Sequence, residues 1–259
     1  MRQCVILVGG KGTRLGSLTE NFPKPMLEIH GKPFLIHLID IIERFGFEEI
    51  LLLSGHGNKV INDFFNNFKK NNISIKIITE NQAMGTGGAL INAYKYLDNE
   101  FFLLNGDSII DGNWLSIKDE LSNNKNISIA LAKEKDPSRY GNVNLIGNEI
   151  KKFEEKNKLS EFENLISAGI YFIRKKIFKK LENKKTSLEE EIIPLHVKNN
   201  EVVGRIVPGY FIDIGIPSSL DDAKRNNWNS NKKAVIFDRD GTLNEDKGYT
   251  YKTNDLVWK

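Results

Sequence analysis

Three glycines near the amino terminus directly follow an apolar segment, an arrangement typical of a loop that binds an anion. Gly9, Gly10 and Gly12 come after VILV, and glycine lets main-chain N–H groups approach a phosphate closely. The spacing matches neither familiar phosphate loop. The dinucleotide fingerprint needs a glycine at the position of Leu15. The P-loop needs Ser or Thr directly after a Gly-Lys pair, whereas here Lys11 is followed by Gly12. A plain tight turn would use the same glycines.

Two cations close to this loop favour phosphate binding over a plain turn. Arg14 follows the glycines, and Lys24 stands between Pro23 and Pro25. Proline fixes its own φ and restricts the residue before it, so the backbone of Lys24 has little freedom. A solvated lysine gains nothing from this restriction, whereas a lysine that meets a phosphate is better placed by it. We therefore expect Arg14 and Lys24 to be catalytic.

Two aspartates follow apolar segments farther along the chain. Asp107 comes after FFLLNG and Asp213 comes after GYFI, so each is expected at the end of a strand. Carboxylates at strand ends can share one Mg²⁺, which prefers oxygen ligands and keeps waters and phosphate oxygens as its others. An isolated aspartate at such a position more often caps a turn, and we interpret Asp111 in that way.

The segments around these residues alternate between strand and helix patterns. Strands are predicted at QCVILV, EEILLLS, ISIKIIT, EFFLLNG and NISIALA, with helices between them at PFLIHLIDIIERFG, NKVINDFFNNFKK and GGALINAYKYL. Shorter strands follow residue 140, at VNLIG, EIKKFEE, LISAGIYFI, EVVGRIV and GYFIDIG, with helices near SLEEEIIPLHV and PSSLDDAKRNNW, the latter capped by Ser218 or Ser219. This alternation indicates a Rossmann-like three-layer α/β fold with a mostly parallel central sheet and a small antiparallel part.

The composition is that of an ordinary globular chain and excludes several classes of protein. Of 259 residues, 40% are hydrophobic and 27% are charged, and the formal net charge is +3. The cations are scattered among acids, which does not favour nucleic acid. No apolar run approaches the ~20 residues that span a bilayer, and no signal peptide or membrane association is expected. The single cysteine, Cys4, leaves no disulfide framework, so a cytoplasmic setting is expected.

The segment GGKGTRLGSLTENFPKPMLEIHGKP resembles the signature of the sugar-phosphate nucleotidylyltransferases. That family joins a sugar 1-phosphate to a nucleoside triphosphate and releases pyrophosphate. The resemblance extends to about residue 225 and implies a glycosyltransferase-A-like nucleotidyltransferase domain over 1–228. It implies that the glycine loop and Thr13 bind the nucleotide, and that Asp107 and Asp213, in GD and DIGIP motifs, bind the metal.

Another glycine-rich segment, TENQAMGTGGAL, resembles the part of that family that contacts the base and the ribose. The resemblance implies that Gly85 and Thr86 bind the nucleotide. Glu80 ends the preceding strand, and a carboxylate there can accept hydrogen bonds from guanine N1–H and N2–H₂ together. Members that use other bases also carry an acid near this position, and an exposed strand end would explain the glutamate equally well.

Three further segments resemble the sugar pocket of the family. In RYGNV the resemblance implies a contact by Gly141, and in LISAGIYFI by Gly169, with Asn164 as a further contact to a hydroxyl. In FEEK it implies that Glu155 binds sugar hydroxyls and that Lys156 binds the sugar phosphate. Without the resemblance, the highly charged segment KKFEEKNK would be interpreted as a solvent-exposed edge of the protein.

The last segment, KAVIFDRDGTLNEDKGY, resembles the opening of haloacid-dehalogenase-type phosphatases, and the heptose bisphosphate phosphatases most closely. In those enzymes the first aspartate of D-x-D-G-T attacks phosphorus and the second shuttles the proton, which corresponds to Asp238 and Asp240. We interpret 229–232 as a linker and 233–259 as a truncated phosphatase domain. It is expected to be inactive, because one strand cannot form that site.

Together these resemblances predict Mg²⁺-dependent transfer from GTP to D-glycero-D-manno-heptose 1-phosphate, giving GDP-heptose and pyrophosphate for surface polysaccharide. The prediction of heptose as the sugar rests on the neighbouring phosphatase motif, since such a phosphatase would yield heptose 1-phosphate. A hexose, amino-sugar or alditol phosphate stays open as the acceptor, and UTP, CTP or dTTP as the donor. A non-catalytic nucleotide-sugar-binding regulatory protein on the same fold is a further alternative. A homo-oligomer is also left open.

Overall fold

The computed structural model describes residues 2–258, except 11, 21, 71, 81, 135, 137–139, 155–163, 227–236, 247, 249–251, 253 and 255. The chain divides into two units, Met1–Trp228 and Asn229–Lys259. The predicted linker at 229–232 lies outside the described residues.

The described part of the larger unit contains strands and helices at nearly all the predicted positions. The strands are β1 (Gln3–Leu7), β2 (Glu28–Ile29), β3 (Lys32–Pro33), β4 (Glu49–Ser54), β5 (Ser74–Thr79), β6 (Glu100–Asn105), β7 (Ser108–Asp111), β8 (Ile127–Lys133), β9 (Asn142–Ile146), β10 (Glu149–Glu154), β11 (Leu165–Arg174), β12 (Val202–Ile206) and β13 (Tyr210–Asp213). The α-helices are α1 (Phe34–Arg44), α2 (Asn58–Asn67), α3 (Gly85–Asn92), α4 (Ile193–Lys198) and α5 (Pro217–Arg225). A π-helical turn, Leu188–Ile192, leads directly into α4.

Nine strands form the central sheet in the order β5-β4-β1-β6-β11-β8-β12-β10-β9. The pairs β5–β4, β4–β1 and β1–β6 are parallel, as the alternation of strands and helices predicts. Strand β11 is antiparallel to both β6 and β8, and β10 is antiparallel to β12 and β9. The α/β fold is confirmed, with an antiparallel part that is larger than the small one expected, because β11 inserts between β6 and β8.

Side chains of the central strands alternate between two apolar cores, one on each face of the sheet. On β6, Phe102 and Leu104 belong to one core, and Phe101 and Leu103 belong to the other. Helices α1 and α2 contribute to the first core, whereas α3 and α4 contribute to the second. The larger unit therefore has the three layers predicted from the sequence.

A separate ribbon of two antiparallel strands, β7 and β13, lies outside the central sheet. In its register Asp213 pairs with Ser108, and Asp111 pairs with Tyr210. The interpretation of Asp111 as a turn residue is therefore wrong, since it is the last residue of β7. The ribbon matters for function because β7 begins directly after Asp107 and β13 ends at Asp213, the two predicted metal-binding aspartates.

The start of α5 differs from the expected cap. Its first residue is Pro217 and its N-cap is Ile216, which makes no side-chain capping hydrogen bond. Ser218 and Ser219 lie inside the helix, where the Ser219 hydroxyl donates to the Ile216 carbonyl at 3.2 Å. Proline suits the first helical position because its missing N–H would have no partner there.

The smaller unit contains two isolated bridges within its described residues, Asp240 with Asn244 and Asn244 with Trp258. The strand predicted at KAVIFD falls largely on residues outside the described ones, and Phe237 and Asp238 are not in a strand. Arg239 donates to both carboxylate oxygens of Asp240, at 2.8 Å each. The second aspartate of the phosphatase-like motif is therefore paired with its neighbour.

Candidate active site

A continuous cleft follows the ends of β1 and β6 that lead into the first glycine loop and Asp107. It consists of three adjoining cavities of about 120, 200 and 260 Å³, which we call the Asp213 cavity, the central cavity and the Glu80 cavity. Lys24 and Asp107 line both the Asp213 cavity and the central cavity. Gly10 and Thr86 line both the central cavity and the Glu80 cavity. Ligands of α/β sheets bind at this end of the strands.

Lys24 is held in the cleft by its backbone and by an ion pair. The 3₁₀ turn Lys24–Met26 begins after Pro23, which has φ −65°. The ammonium donates to Asp107 Oδ2 at 2.7 Å, with 17% of the lysine side chain and 27% of the aspartate side chain exposed. Such a pair fixes the lysine where it faces the cleft.

Electrostatics keeps Lys24 protonated. Burial disfavours its ammonium, but the charges of Asp107 and Asp213 outweigh this effect, so the pKa of Lys24 is raised above its ordinary value. A permanently charged lysine can neutralise a phosphate, whereas it cannot act as a base near neutral pH.

The two predicted metal-binding aspartates lie side by side. The ribbon of β7 and β13 places Asp213 opposite Ser108, and the N–H of Ile214 donates to the carbonyl of Asp107 at 3.0 Å. The N–H of Gly215 donates to Asp213 Oδ1 at 3.0 Å. Both aspartates line the Asp213 cavity, together with the predicted cations Arg14 and Lys24.

The donor set at this point suits a hard divalent cation. Two carboxylates supply oxygen ligands, which Mg²⁺ prefers. Among the described residues, no group of three or more histidine, cysteine, aspartate or glutamate side chains is placed to hold a metal. A cation shared by Asp107 and Asp213 would therefore take its other ligands from phosphate and water, as Mg²⁺ usually does.

Part of the first glycine loop borders the cleft and part does not. Gly10 lines the central and Glu80 cavities, and Gly9 lines the Glu80 cavity. Gly12 precedes the 3₁₀ helix Thr13–Thr19, and neither Gly12 nor Thr13 lines any of the three cavities. The hydroxyl of Thr19 donates to the Gly12 carbonyl at 2.8 Å, which fixes the loop at that point.

Glu80 is a half-buried residue that lines the third cavity, not a fully exposed strand end. Its Oε2 accepts from the N–H of Met84 at 3.4 Å, while its Oε1 is buried and has no hydrogen-bond partner among the described residues. Burial raises the pKa of Glu80, against the opposing effect of the Met84 N–H. Because a buried polar atom without a partner is costly, the described part of the chain does not by itself satisfy this carboxylate.

The segment 184–189 packs against the start of α3 beside the cleft. The carbonyl of Thr186 accepts from the N–H groups of Gly87 and Gly88 at 2.9 and 3.0 Å. Gly85 has φ +75°, and a Cβ there would lie 2.6 Å from the Thr186 carbonyl oxygen, so this close approach requires glycine. Lys185, from the same segment, lines the Glu80 cavity.

The predicted sugar-binding residues divide into three groups. Gly141 and Gly169 line the Asp213 cavity. Asn164 is exposed and lines none of the three cavities, and its carbonyl accepts from the N–H of Glu134 at 3.0 Å. Glu155 and Lys156 lie outside the described residues.

Gly169 is positioned by an irregularity in the sheet. The pairing of β11 with β8 shifts register between Ser167 and Tyr171, and Gly169 has φ +71°. A Cβ at this position would lie 2.8 Å from Asn105 Nδ2. The bulge therefore brings the backbone of β11 against the end of β6, at the floor of the cavity.

Several lining residues were not predicted from the sequence. Asn105 and Glu189 line both the Asp213 and central cavities, and Tyr171 lines the former. Asn105 stands two residues before Asp107, so its position beside the GD motif could have indicated it. Glu189 lies within the run LEEE, where three adjacent glutamates give no local signal that one faces a cleft.

Thr86 contacts the protein through its hydroxyl. Its Oγ1 donates to Glu189 Oε2 at 2.6 Å and accepts from the N–H of Leu188 at 2.8 Å. The predicted role of Thr86 in nucleotide binding stays a prediction, and any direct contact would compete with these two hydrogen bonds.

Residues 3–230 match the family model described as nucleotidyl transferase. A D-glycero-alpha-D-manno-heptose 1-phosphate guanylyltransferase of Campylobacter jejuni is 35% identical over 83% of this chain and 95% of the relative. A probable mannose-1-phosphate guanylyltransferase of rice, Oryza sativa subsp. japonica, is 34% identical over 83% of this chain. The chain spans 62% of the length of this rice relative.

Among solved structures, HddC from Yersinia pseudotuberculosis is similar, with 32% identity and a TM-score of 0.77 over 86% of this chain and 98% of the other. A second structure of that protein, complexed with GMP-PN, has a TM-score of 0.76 over the same shares of the two chains. Within the described ranges, no helix combines the length and apolar character needed to cross a membrane.

Proposed function

The chain belongs to the nucleotidyl transferase family, and on that premise we propose that it transfers a guanylyl group from GTP to D-glycero-D-manno-heptose 1-phosphate. The products are GDP-heptose and pyrophosphate. At the coarser level the chain is an enzyme, a sugar-1-phosphate nucleotidyltransferase, as its similarity to sugar-phosphate guanylyltransferases establishes. The non-catalytic alternative is thereby dropped.

One observation carries the proposal: Lys24, Asp107 and Asp213 meet in one cavity beside the first glycine loop. A buried ammonium next to two adjacent carboxylates suits a substrate that brings its own negative charge and a divalent cation. The adjoining central and Glu80 cavities supply room for a nucleoside next to those phosphates.

Transfer in this site needs positioning rather than a general base. A phosphate oxygen of the sugar 1-phosphate attacks the α-phosphorus of GTP in line, the bond to the bridging oxygen breaks, and pyrophosphate leaves. The sugar phosphate is already anionic, so no proton has to be removed. Lys24 and Lys156 align this phosphate, and Arg14 and the N–H groups of Gly9 and Gly10 hold the triphosphate.

Asp107 and Asp213 are the residues that would hold Mg²⁺. Bound there, the ion neutralises charge that develops on the phosphate oxygens during transfer. In the described structure the ammonium of Lys24 already donates a hydrogen bond to Asp107 Oδ2. A cation held at this position would be available to the substrate phosphates, which supports the assignment of the Asp213 cavity to the reacting groups.

The choice of guanine is supported by Glu80. This half-buried glutamate lines a cavity together with Gly85 and Lys185, and its Oε1 has no hydrogen-bond partner among the described residues. Guanine offers two adjacent donors, N1–H and N2–H₂, which a carboxylate accepts together, and an O6 acceptor within reach of an ammonium. Adenine and cytosine lack a donor at N1 or N3, and uracil and thymine offer only one.

The choice of heptose is supported by two separate similarities. The Campylobacter relative is named a heptose 1-phosphate guanylyltransferase, and the segment around Asp238 and Asp240 resembles a heptose bisphosphate phosphatase. The rice relative, at nearly the same identity, is named for mannose 1-phosphate, which makes that sugar phosphate the second candidate. Asp238 and Asp240 themselves take no part in the proposed transfer.

A matrix of substrates tests the proposal. GTP, UTP, CTP and dTTP are each offered with heptose 1-phosphate, mannose 1-phosphate and glucose 1-phosphate in the presence of Mg²⁺, and pyrophosphate release is measured. We expect the highest kcat/KM for GTP with heptose 1-phosphate. A higher kcat/KM with another base or sugar would correct the substrate, and no release with any pair would contradict the reaction.

A further inference from the structure

Glu189 occupies a position in the cleft that the proposed reaction leaves unexplained. It lies in the turn Leu188–Ile192 and lines both the Asp213 cavity and the central cavity. The same two cavities contain Lys24 and Asp107. The glutamate is therefore beside the path from the nucleoside to the reacting phosphates.

A set of hydrogen bonds fixes this side chain. Its Oε2 accepts from Thr86 Oγ1 at 2.6 Å, and Thr86 Oγ1 accepts from the N–H of Leu188 at 2.8 Å. The chain just before Glu189 is attached to the start of α3, because the Thr186 carbonyl accepts hydrogen bonds from the N–H groups of Gly87 and Gly88. A carboxylate that is held by its side chain, on a segment whose neighbouring backbone is also hydrogen-bonded, is preorganised to meet a ligand.

The charge of Glu189 limits what it can contact. A carboxylate repels the phosphates that Lys24 attracts, so among the groups that the two substrates bring it interacts favourably with hydrogen-bond donors. The donors that both substrates bring are hydroxyl groups, on the ribose and on the sugar ring. The neighbouring lining residues Asn105 and Tyr171 are neutral and polar, which is typical of a surface that meets hydroxyls.

We propose that Glu189 binds a substrate hydroxyl by accepting its hydrogen bond, and that Thr86 is the residue that positions this carboxylate. The inference rests on the proposed transfer reaction and adds a specificity-determining contact to it. Because a hydrogen bond to a charged acceptor is stronger than a neutral one, losing it should lower kcat/KM about ten- to a hundredfold.

The test compares Glu189→Gln with the wild-type chain on hydroxyl-deleted substrates. Glutamine keeps the size and removes the charge, while Glu190→Gln serves as the matched control, since Glu190 is exposed on the next position of the same turn. GTP, 2′-deoxyGTP and 3′-deoxyGTP form the ribose arm, and monodeoxy sugar 1-phosphates form the sugar arm. One analogue should be used equally by wild type and Glu189→Gln, and it identifies the hydroxyl.

Thr86 variants separate positioning from folding. Thr86→Val should lose several-fold in kcat/KM for the same substrate as Glu189→Gln, and Thr86→Ser should restore it, with thermal unfolding measured for each. The inference is overturned if Glu189→Gln stays within twofold of wild type, or if it loses the same factor with every analogue. A wild-type chain that releases no pyrophosphate would overturn the proposed reaction itself, and with it this contact.

Discussion

Replacing Lys24 by methionine removes the charge at the centre of the cleft and keeps most of the side-chain volume. Lys24 Nζ lies 2.7 Å from Asp107 Oδ2, and both side chains are largely buried. After the change, Asp107 keeps its charge but loses the ammonium of Lys24. The incoming phosphates also lose the cation that should neutralise them.

The expected size of the effect follows from this geometry. Two unit charges 2.7 Å apart attract by about 6 kcal/mol at an effective dielectric constant of 20. Removing only one partner leaves the desolvation of Asp107 uncompensated, so the free energy of unfolding should fall by about 3 kcal/mol, the low end for a buried pair because both side chains are partly exposed. Loss of a charged donor to the transition state should lower kcat about 10²- to 10³-fold.

Steady-state pyrophosphate release and chemical denaturation measure the two effects separately. Lys70→Met is the matched control, because Lys70 Nζ also makes 2.7 Å ion pairs, to Asp40 and Glu43, and lines none of the three cavities. The control should lose stability and keep kcat within about twofold. If Lys24→Met retained a kcat within threefold of wild type, the role of Lys24 in transfer would be refuted.

Two further substitutions probe the ends of the cleft. Glu80→Gln should raise the KM for GTP about ten- to a hundredfold. Glutamine is uncharged and has one acceptor oxygen, so it cannot accept hydrogen bonds from guanine N1–H and N2–H₂ with two charged oxygens. The raised pKa of Glu80 also predicts that the wild-type KM for GTP increases as the pH falls toward that pKa. Glu80→Gln should abolish this pH dependence of KM, and a pH dependence that persists in the variant would contradict the role of Glu80. Gly169→Ala would place a side chain on a left-handed backbone, φ +71°, with its Cβ 2.8 Å from Asn105 Nδ2. It should therefore lower the free energy of unfolding by more than the ~1–2 kcal/mol expected from the backbone alone, and it should raise the KM for the sugar phosphate. Gly147→Ala, at φ +63° with open space around it, should show only the backbone cost in a denaturation experiment; equal effects of the two would exclude a role for the Asn105 contact.

The parallel half of the fold could be predicted because each of its elements is encoded locally. The segments that became β1, β4, β5 and β6 are short apolar runs separated by helical periodicity, and a strand–helix–strand connection leaves few topologies. The insertion of β11 between β6 and β8 has no such local signal. LISAGIYFI shows that a buried strand is present, but its direction depends on partners far away in the sequence.

The site could be predicted in part for the same reason. The restriction of Lys24 by Pro23 and Pro25 is visible in the sequence, and so is the position of Asp107 after a strand. The meeting of Asp107 with Asp213 depends on the ribbon of β7 and β13, which forms between segments about a hundred residues apart. The contact of Thr86 with Glu189 depends in the same way on tertiary packing.

The shared metal ion is the central claim, and the Mg²⁺ dependence of pyrophosphate release tests it most directly. Asp107→Asn and Asp213→Asn each remove one charged oxygen ligand, so each should raise the half-saturating Mg²⁺ concentration at least about tenfold at saturating substrates. The double variant should show less than the product of the two single effects, since both act on one ion. A half-saturating Mg²⁺ concentration that is unchanged in either single variant would contradict a cation held jointly by these two aspartates.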